Sequence, residues 1–187
     1  LFVSGNSYSG SHDTKFSVVR YGNVMGSRGS VIPFFMSLAK DEEFPVTDNR
    51  MTRFMISLED GVGLIWHAFD DMKGGEIYVK KIPSMKVTDL ALAVNGNAKQ
   101  KEVGIRPGEK LHEQMIGQED ALYTYEYPDH FKILPSIYDW SQDPERIGKG
   151  LKVKSDFLYC SDSNKEWMTI SELKKWIKKN QNKIGKI

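Results

Sequence analysis

The run Lys15-Phe16-Ser17-Val18-Val19-Arg20-Tyr21, followed by Gly22-Asn23-Val24-Met25-Gly26-Ser27-Arg28-Gly29-Ser30, decides the fold. Its first seven residues are β-branched and aromatic between turn formers, which predicts a strand. The adjacent Val18 and Val19 predict a strand covered on both faces, as in a parallel sheet flanked by helices. Ser30 then stands as an N-cap for an amphipathic segment over Val31 to Lys40, with Pro33 tolerated in the first turn. A strand, a glycine-rich loop and a helix start together present backbone N–H groups to an anion. The spacing Gly22, Gly26, Gly29 is not G-x-G-x-x-G, and no P-loop lysine follows. The loop therefore reads either as a tight turn packing strand on helix or as a ligand-facing loop at the carboxyl end of a late strand. Asn23, an amide just past the strand, is placed to donate to a phosphate or hydroxyl.

Downstream, residues 44 to 58 read as extended. From Glu59, Val62, Ile65, Trp66, Phe69 and Met72 fall at helical spacing and predict one packed face, ended by Lys73-Gly74-Gly75. Glu76 to Val79 predicts a short strand. Val87, Leu90, Ala91 and Val94 predict a helix closed by Asn95-Gly96-Asn97. Val103 to Arg106 reads as extended, and Glu109 to Ile116 as one or two helical turns. Gly117 to Gly150 reads as ordered irregular structure, able to bury Tyr123, Tyr125, Tyr127, Phe131, Tyr138 and Trp140. The last helix starts at a capping box, Thr169 with Glu172, and its apolar face is Ile170, Leu173, Trp176 and Ile177. Strand-loop-helix alternation makes the class α/β.

Composition bounds the function. The 187 residues are 40% hydrophobic with net charge +1, which excludes collagen and low-complexity disorder and argues against a nucleic-acid-binding surface over the whole molecule. Cys160 stands alone, so no internal disulfide exists. No apolar run reaches the ~18 residues of a membrane span. Residues 171 to 187 carry six lysines and one acid, a tail of +5 that leaves the body at −4; we read it as the solvated face of a terminal helix.

Arg50 and Arg53 lie in Thr47-Asp48-Asn49-Arg50-Met51-Thr52-Arg53-Phe54, and Arg106 precedes Pro107-Gly108-Glu109. A guanidinium fixed beside a Pro-Gly turn suits bidentate phosphate binding, with Glu109 placed to accept from sugar hydroxyls. An exposed Arg–Glu pair of little energetic consequence is the other reading. His12, His67, His112 and His130 have no metal-ligand spacing, His67 reading as structural, so no metal is expected. No G-x-S-x-G occurs, and no Tyr in the chain has a Lys four residues on.

Three blocks carry a resemblance: Phe16 to Phe35, Thr47 to Phe54, and Arg106 to Glu113. Together they resemble the extended short-chain dehydrogenase/reductases that modify nucleotide sugars, most of all the inverting UDP-N-acetylglucosamine 4,6-dehydratases. The resemblance implies the C-terminal part of such a fold, the last Rossmann strands plus a smaller substrate-binding domain. Residues 1–28 and 58–83 would be the Rossmann elements, and 29–57 and 84–187 the nucleotide-sugar domain. It implies that Asn23, Arg53, Arg106 and Glu109 bind the UDP-sugar and that Val24, Met25, Gly26, Ser27 and Arg28 line the cofactor, NADP with NAD as the alternative. The catalytic Tyr-x-x-x-Lys is expected upstream of Leu1, so no catalytic residue is expected in this chain, which is expected to be inactive alone. A cytoplasmic homo-oligomer with no nucleic-acid or membrane partner is also implied. The alternatives are a retaining dehydratase or 4-epimerase of the same superfamily, or a non-catalytic nucleotide-sugar-binding module.

Overall fold

The computed structural model describes residues 1–10, 12–38, 43–136 and 143–186. Ala39 and Lys40 of the expected helix, Tyr138 and Trp140 of the expected buried aromatics, and Ile187 of the tail lie outside the described residues. The chain forms two compact units. One comprises Leu1–Tyr21, Glu59–Lys81 and Gln114–Tyr159, the other Gly22–Leu58, Ile82–Glu113 and Cys160–Ile187.

In the first unit, strand Val18–Arg20 pairs in parallel with Ile77–Lys80, with Val19 opposite Tyr78. Helix Leu58–Asp71 lies between these strands in sequence, as a parallel pair requires of its crossover connection. Three further strands join antiparallel, in the order His130–Ile133, Thr124–Glu126, Leu151–Lys152. Tyr78 and Val79 are fully buried, whereas Val18 and Val19 are only half-buried. Among the described residues, Val18–Arg20 has a strand neighbour on one side only.

Among the described residues of 117–150, helices Gln118–Ala121 and Pro144–Ile147 and strands Thr124–Glu126 and His130–Ile133 are regular, contrary to the sequence reading. Tyr125 and Phe131 point to buried positions on paired strands, and helix Pro144–Ile147 follows. Short strands with polar residues between the aromatics conceal a period of two. Asp143 caps that helix by accepting from the N–H groups of Glu145 and Arg146. The cap presents Arg146 to Glu76, a carboxylate only 1% exposed that also accepts from the N–H groups of Lys73 and Gly74.

Helix Leu58–Asp71 forms where expected but buries another face. Gly61, Leu64 and Ala68 are buried, and Leu64 and Ala68 pack with Tyr78, whereas Val62, Trp66 and Phe69 are exposed. The exposed stripe is the more apolar one, so periodicity pointed to the wrong side. Small side chains at 61 and 68 let the helix lie close to the sheet.

Buried ionisable groups cluster beneath this helix. Lys132 donates to Asp71 (2.7 Å) and to the Arg146 carbonyl (2.7 Å), and the Tyr78 hydroxyl donates to Asp71 at 2.6 Å. His130 is buried beside Asp129, with its ring stacked on Tyr127 at 4.5 Å. Burial holds the His130 imidazole below its usual 6.5, against the pull of Asp129.

In the second unit, Asn23–Val24, Thr52–Ile56 and Ser84–Lys86 form one sheet, parallel then antiparallel. A parallel pair, Phe44–Val46 with Gln100–Glu102, forms another. Helices Val31–Ser37, Val87–Val94 and Ile170–Asn180 enclose Ile32, Phe35, Phe44, Met51, Met85, Leu90 and Leu173. The capping box is present: Thr169 Oγ1 accepts from Glu172 N–H, and Glu172 accepts from Thr169 N–H at 2.7 Å. Lys174, Lys175, Lys178 and Lys179 are exposed, as the solvated-face reading requires.

Two local expectations fail here. The strand at 100–102 precedes the expected 103–106, and 109–113 is not helical. The Lys110 and Leu111 carbonyls accept from Arg53, and Leu111 also accepts from Thr52 N–H, so these acceptors are not free to build helical turns. No helix among the described residues is long and apolar enough to cross a membrane.

Two predictions follow from the packing. Leu64→Ala should cost about 2–5 kcal/mol of stability in urea unfolding, and Phe69→Ser about 0.5 kcal/mol or less; equal costs would contradict the observed face. Because His130 titrates lower folded than unfolded, its contribution is fully present above 6.5 and is lost as the pH falls below that value. The urea midpoint should therefore drop on going from pH 7 toward 5.5, and His130→Gln should flatten that dependence.

Candidate functional site

Arg53 organises the site from the strand Thr52–Ile56. Its neighbours Thr52 and Phe54 are buried, and its own side chain is 12% exposed. Nη1 donates to the carbonyls of Thr52 (2.8 Å) and Leu111 (3.1 Å), and Nη2 to that of Lys110 (2.8 Å). Glu109 and Glu113 approach the same guanidinium at 3.6 and 3.5 Å. A planar five-donor fork suits such a clasp, and a point charge does not.

The clasped segment turns at Pro107-Gly108. Glu109 N–H donates to the Arg106 carbonyl at 3.0 Å, and the Glu109 carboxylate accepts from Arg106 N–H at 3.4 Å. The Arg106 side chain is exposed, and among the described residues its guanidinium has no protein acceptor. Behind the clasp, Thr52 Oγ1 is hydrogen-bonded to His112 Nδ1 (2.8 Å) and Ser161 Oγ (2.7 Å). Ser161 exchanges backbone and side-chain bonds with Glu113 at 2.8 and 2.9 Å. Nothing in the sequence marks this network, because its members lie far apart and match no motif.

Asn23 and Val24 enter from the other side of Thr52–Ile56, paired with Met55 and Ile56. Gly22 is required there, since a Cβ would lie 2.4 Å from the Phe54 carbonyl oxygen. Gly26, at φ +74°, is packed under Trp176 and Ile184, and its carbonyl accepts from Gly185 N–H at 2.8 Å. These two glycines serve packing.

A cleft of about 620 Å3 gathers Asn23, Arg53, Arg106 and Glu109 with Val24 and Met25. Ile32, Phe35, Met51, Met55 and Leu90 give it apolar walls. Gly26, Ser27 and Arg28 do not line it. Arg50 turns away to form a bidentate pair with Asp48, whose carboxyl it pulls down to about 2. Ser30 occupies the N-cap position as expected, but its side chain makes no capping bond; among the described residues its buried Oγ has no partner, and it borders the cleft.

Chemically, the cleft offers an unengaged guanidinium, an amide, a hydroxyl and a carboxylate acceptor. Among the described residues its titratable lining groups are Arg53, Arg106 and Glu109, a set that suits an anion carrying hydroxyls. Arg53→Lys should take the charged donors from the Lys110 and Leu111 carbonyls, of which Leu111 keeps the Thr52 N–H, and cost about 1.5–3 kcal/mol in chemical unfolding. A loss below ~0.5 kcal/mol would show that the clasp is not structural.

The chain is 51% identical over 180 residues to the UDP-N-acetylglucosamine 4,6-dehydratase (inverting) of Campylobacter jejuni subsp. jejuni serotype O:23/36, covering 92% of this chain and 54% of that protein. It is 39% identical over 127 residues to a UDP-glucose 4-epimerase of Rickettsia canadensis, covering 65% and 37%. The X-ray structure of Pen from Bacillus thuringiensis superposes with a TM-score of 0.78 at 33% identity, over 95% of this chain and 53% of that one. The chain thus spans about half the length of the curated dehydratase it matches. Residues 1–135 match the family described as polysaccharide biosynthesis protein, and the chain belongs to that family.

Proposed function

We propose that this chain forms the nucleotide-sugar cleft of an inverting UDP-N-acetylglucosamine 4,6-dehydratase that uses NADP and serves pseudaminic acid or related surface polysaccharide synthesis. The observation that carries this is the convergence of Asn23, Arg53, Arg106 and Glu109 on one cleft. Arg106, with its donors open, takes the diphosphate; Arg53 adds positive charge and fixes the turn. Glu109 accepts from the ribose hydroxyls, Asn23 meets the sugar, and the Ser30 hydroxyl supplies one further donor. Val24 and Met25 present an apolar wall that suits a nicotinamide ring. That cofactor supplies reversible hydride acceptance, which makes C4 a ketone and acidifies C5–H ahead of water loss across C5 and C6. The proton-transferring pair belongs to sequence outside these residues.

In this reading, residues 1–28 and 58–83 are Rossmann elements, supported by the parallel pair Val18–Arg20 and Ile77–Lys80. Residues 29–57 and 84–187 are the substrate domain. Gln114–Tyr159 nevertheless clusters with the parallel pair, so that boundary is drawn by resemblance and not by packing. A cytoplasmic homo-oligomer completes the proposal.

The test uses a protein of the relatives' full length that contains this chain, incubated with UDP-N-acetylglucosamine. A 4-keto-6-deoxy product with inverted C5, read by NMR, is expected; retention at C5, or C4 epimerisation alone, would refute the assignment. Arg106→Ala should raise KM about 10- to 100-fold with a smaller change in kcat, the loss of a charged hydrogen bond. The 187-residue chain alone should bind UDP weakly in calorimetry, and micromolar affinity would favour an autonomous binding module.

A further inference from the structure

We propose that the segment after helix Ile170–Asn180 is a strap on the glycine loop of the cleft, with Ile184 and Gly185 as positioning residues for the ligand that meets Val24 and Met25. The loop leaves strand Asn23–Val24 with Met25 N–H donating to the Ile56 carbonyl at 2.9 Å. Within the loop, Ser27 N–H donates to the Val24 carbonyl at 3.3 Å. Its far side is held by the tail. The Gly26 carbonyl accepts from Gly185 N–H at 2.8 Å, and a Cβ on Gly26 would lie 3.0 Å from Trp176 and 3.1 Å from Ile184.

The tail is shaped for that contact. The N–H groups of Lys183 and Ile184 both donate back to the Asn180 carbonyl, at 2.8 and 3.2 Å, and the Asn180 side-chain amide donates to the Trp176 carbonyl at 2.9 Å. These bonds turn the chain back over the end of the helix. Gly185 then stands at φ +75°, a conformation that glycine adopts without strain, and its N–H meets the loop. Ile184 and Trp176 are half-buried and pack against the core cluster that includes Met25 and Ile32. Removing the tail takes away the hydrogen bond to Gly26 and part of the apolar cover over the loop together.

Met25, the residue before Gly26, is 4% exposed, and it lines the cleft with Val24. A loop fixed in advance need not be ordered when a ligand binds against it, and ordering even one residue costs about tenfold in affinity. Arg106 and Glu109 depend on a different device, the segment clasped by Arg53. The strap therefore governs the Val24–Met25 wall and leaves the anion end of the cleft alone. This assignment rests on the reading above, in which that wall takes the nicotinamide cofactor and Arg106 the diphosphate of the UDP-sugar.

The test compares a protein of the relatives' full length that contains this chain with two variants, one ending at Gln181 and one carrying Ile184→Ser. Calorimetry measures NADP and UDP binding to each, and amide hydrogen exchange of the corresponding 187-residue chains follows Met25 to Ser30. Both variants should bind NADP at least ~10-fold more weakly but UDP within about threefold of the parent. Exchange should quicken in the loop, and Ile184→Val should restore the parental values. Unchanged exchange, or an equal loss of NADP and UDP affinity, would reduce the tail to general structural support and overturn the proposal. A parent that binds both ligands, with variants that bind NADP as tightly, would overturn the strap alone. A parent that binds UDP but neither NADP nor NAD would overturn the cofactor reading and the strap's role with it.

Discussion

The Arg53 guanidinium, held by three backbone carbonyls, is the constraint on which the cleft depends. Those bonds draw residues 109–113 onto the edge of Thr52–Ile56 and keep them from coiling. With the segment fixed, the turn at Pro107-Gly108 sets Arg106 and Glu109 on one wall of the cleft. The Thr52–His112–Ser161 network closes the back of the same clasp. Removing one carbonyl contact loses little, but removing the fork breaks three charged hydrogen bonds at once.

This division of labour alters how the two arginines are understood. They look equivalent in the sequence, each a cation near a carboxylate. In the fold, Arg53 spends its donors on the protein, whereas the Arg106 guanidinium has no protein acceptor among the described residues. A cleft with an open guanidinium and apolar walls has the make-up of a binding site. Chemistry at the sugar has to be supplied from elsewhere in the longer protein that we propose.

Much of the site was legible because its residues are local. Asn23 follows its strand directly, and Arg106 and Glu109 share one turn, so residue type and spacing were enough. The Thr169 capping box was legible for the same reason. What escaped was non-local. Whether Leu64 or Trp66 faces the sheet depends on how closely the helix approaches it, which Gly61 and Ala68 permit and periodicity does not reveal. The strands at 124–126 and 130–133 exist through pairing with each other and, for 130–133, with Ile77–Lys80, 50 to 56 positions away. The N-cap position of Ser30 was legible, but not that its hydroxyl borders a cleft instead of bonding the helix start.

We propose that a nucleotide sugar sits in the cleft bordered by Asn23, Arg53, Arg106 and Glu109. A crystal structure of a protein of the relatives' full length that contains this chain, grown with UDP, tests this without an intermediary. UDP is expected in that cleft, with the Arg106 guanidinium within hydrogen-bonding distance of a phosphate oxygen and Glu109 on the ribose. UDP bound elsewhere, with the cleft filled only by water, would contradict it.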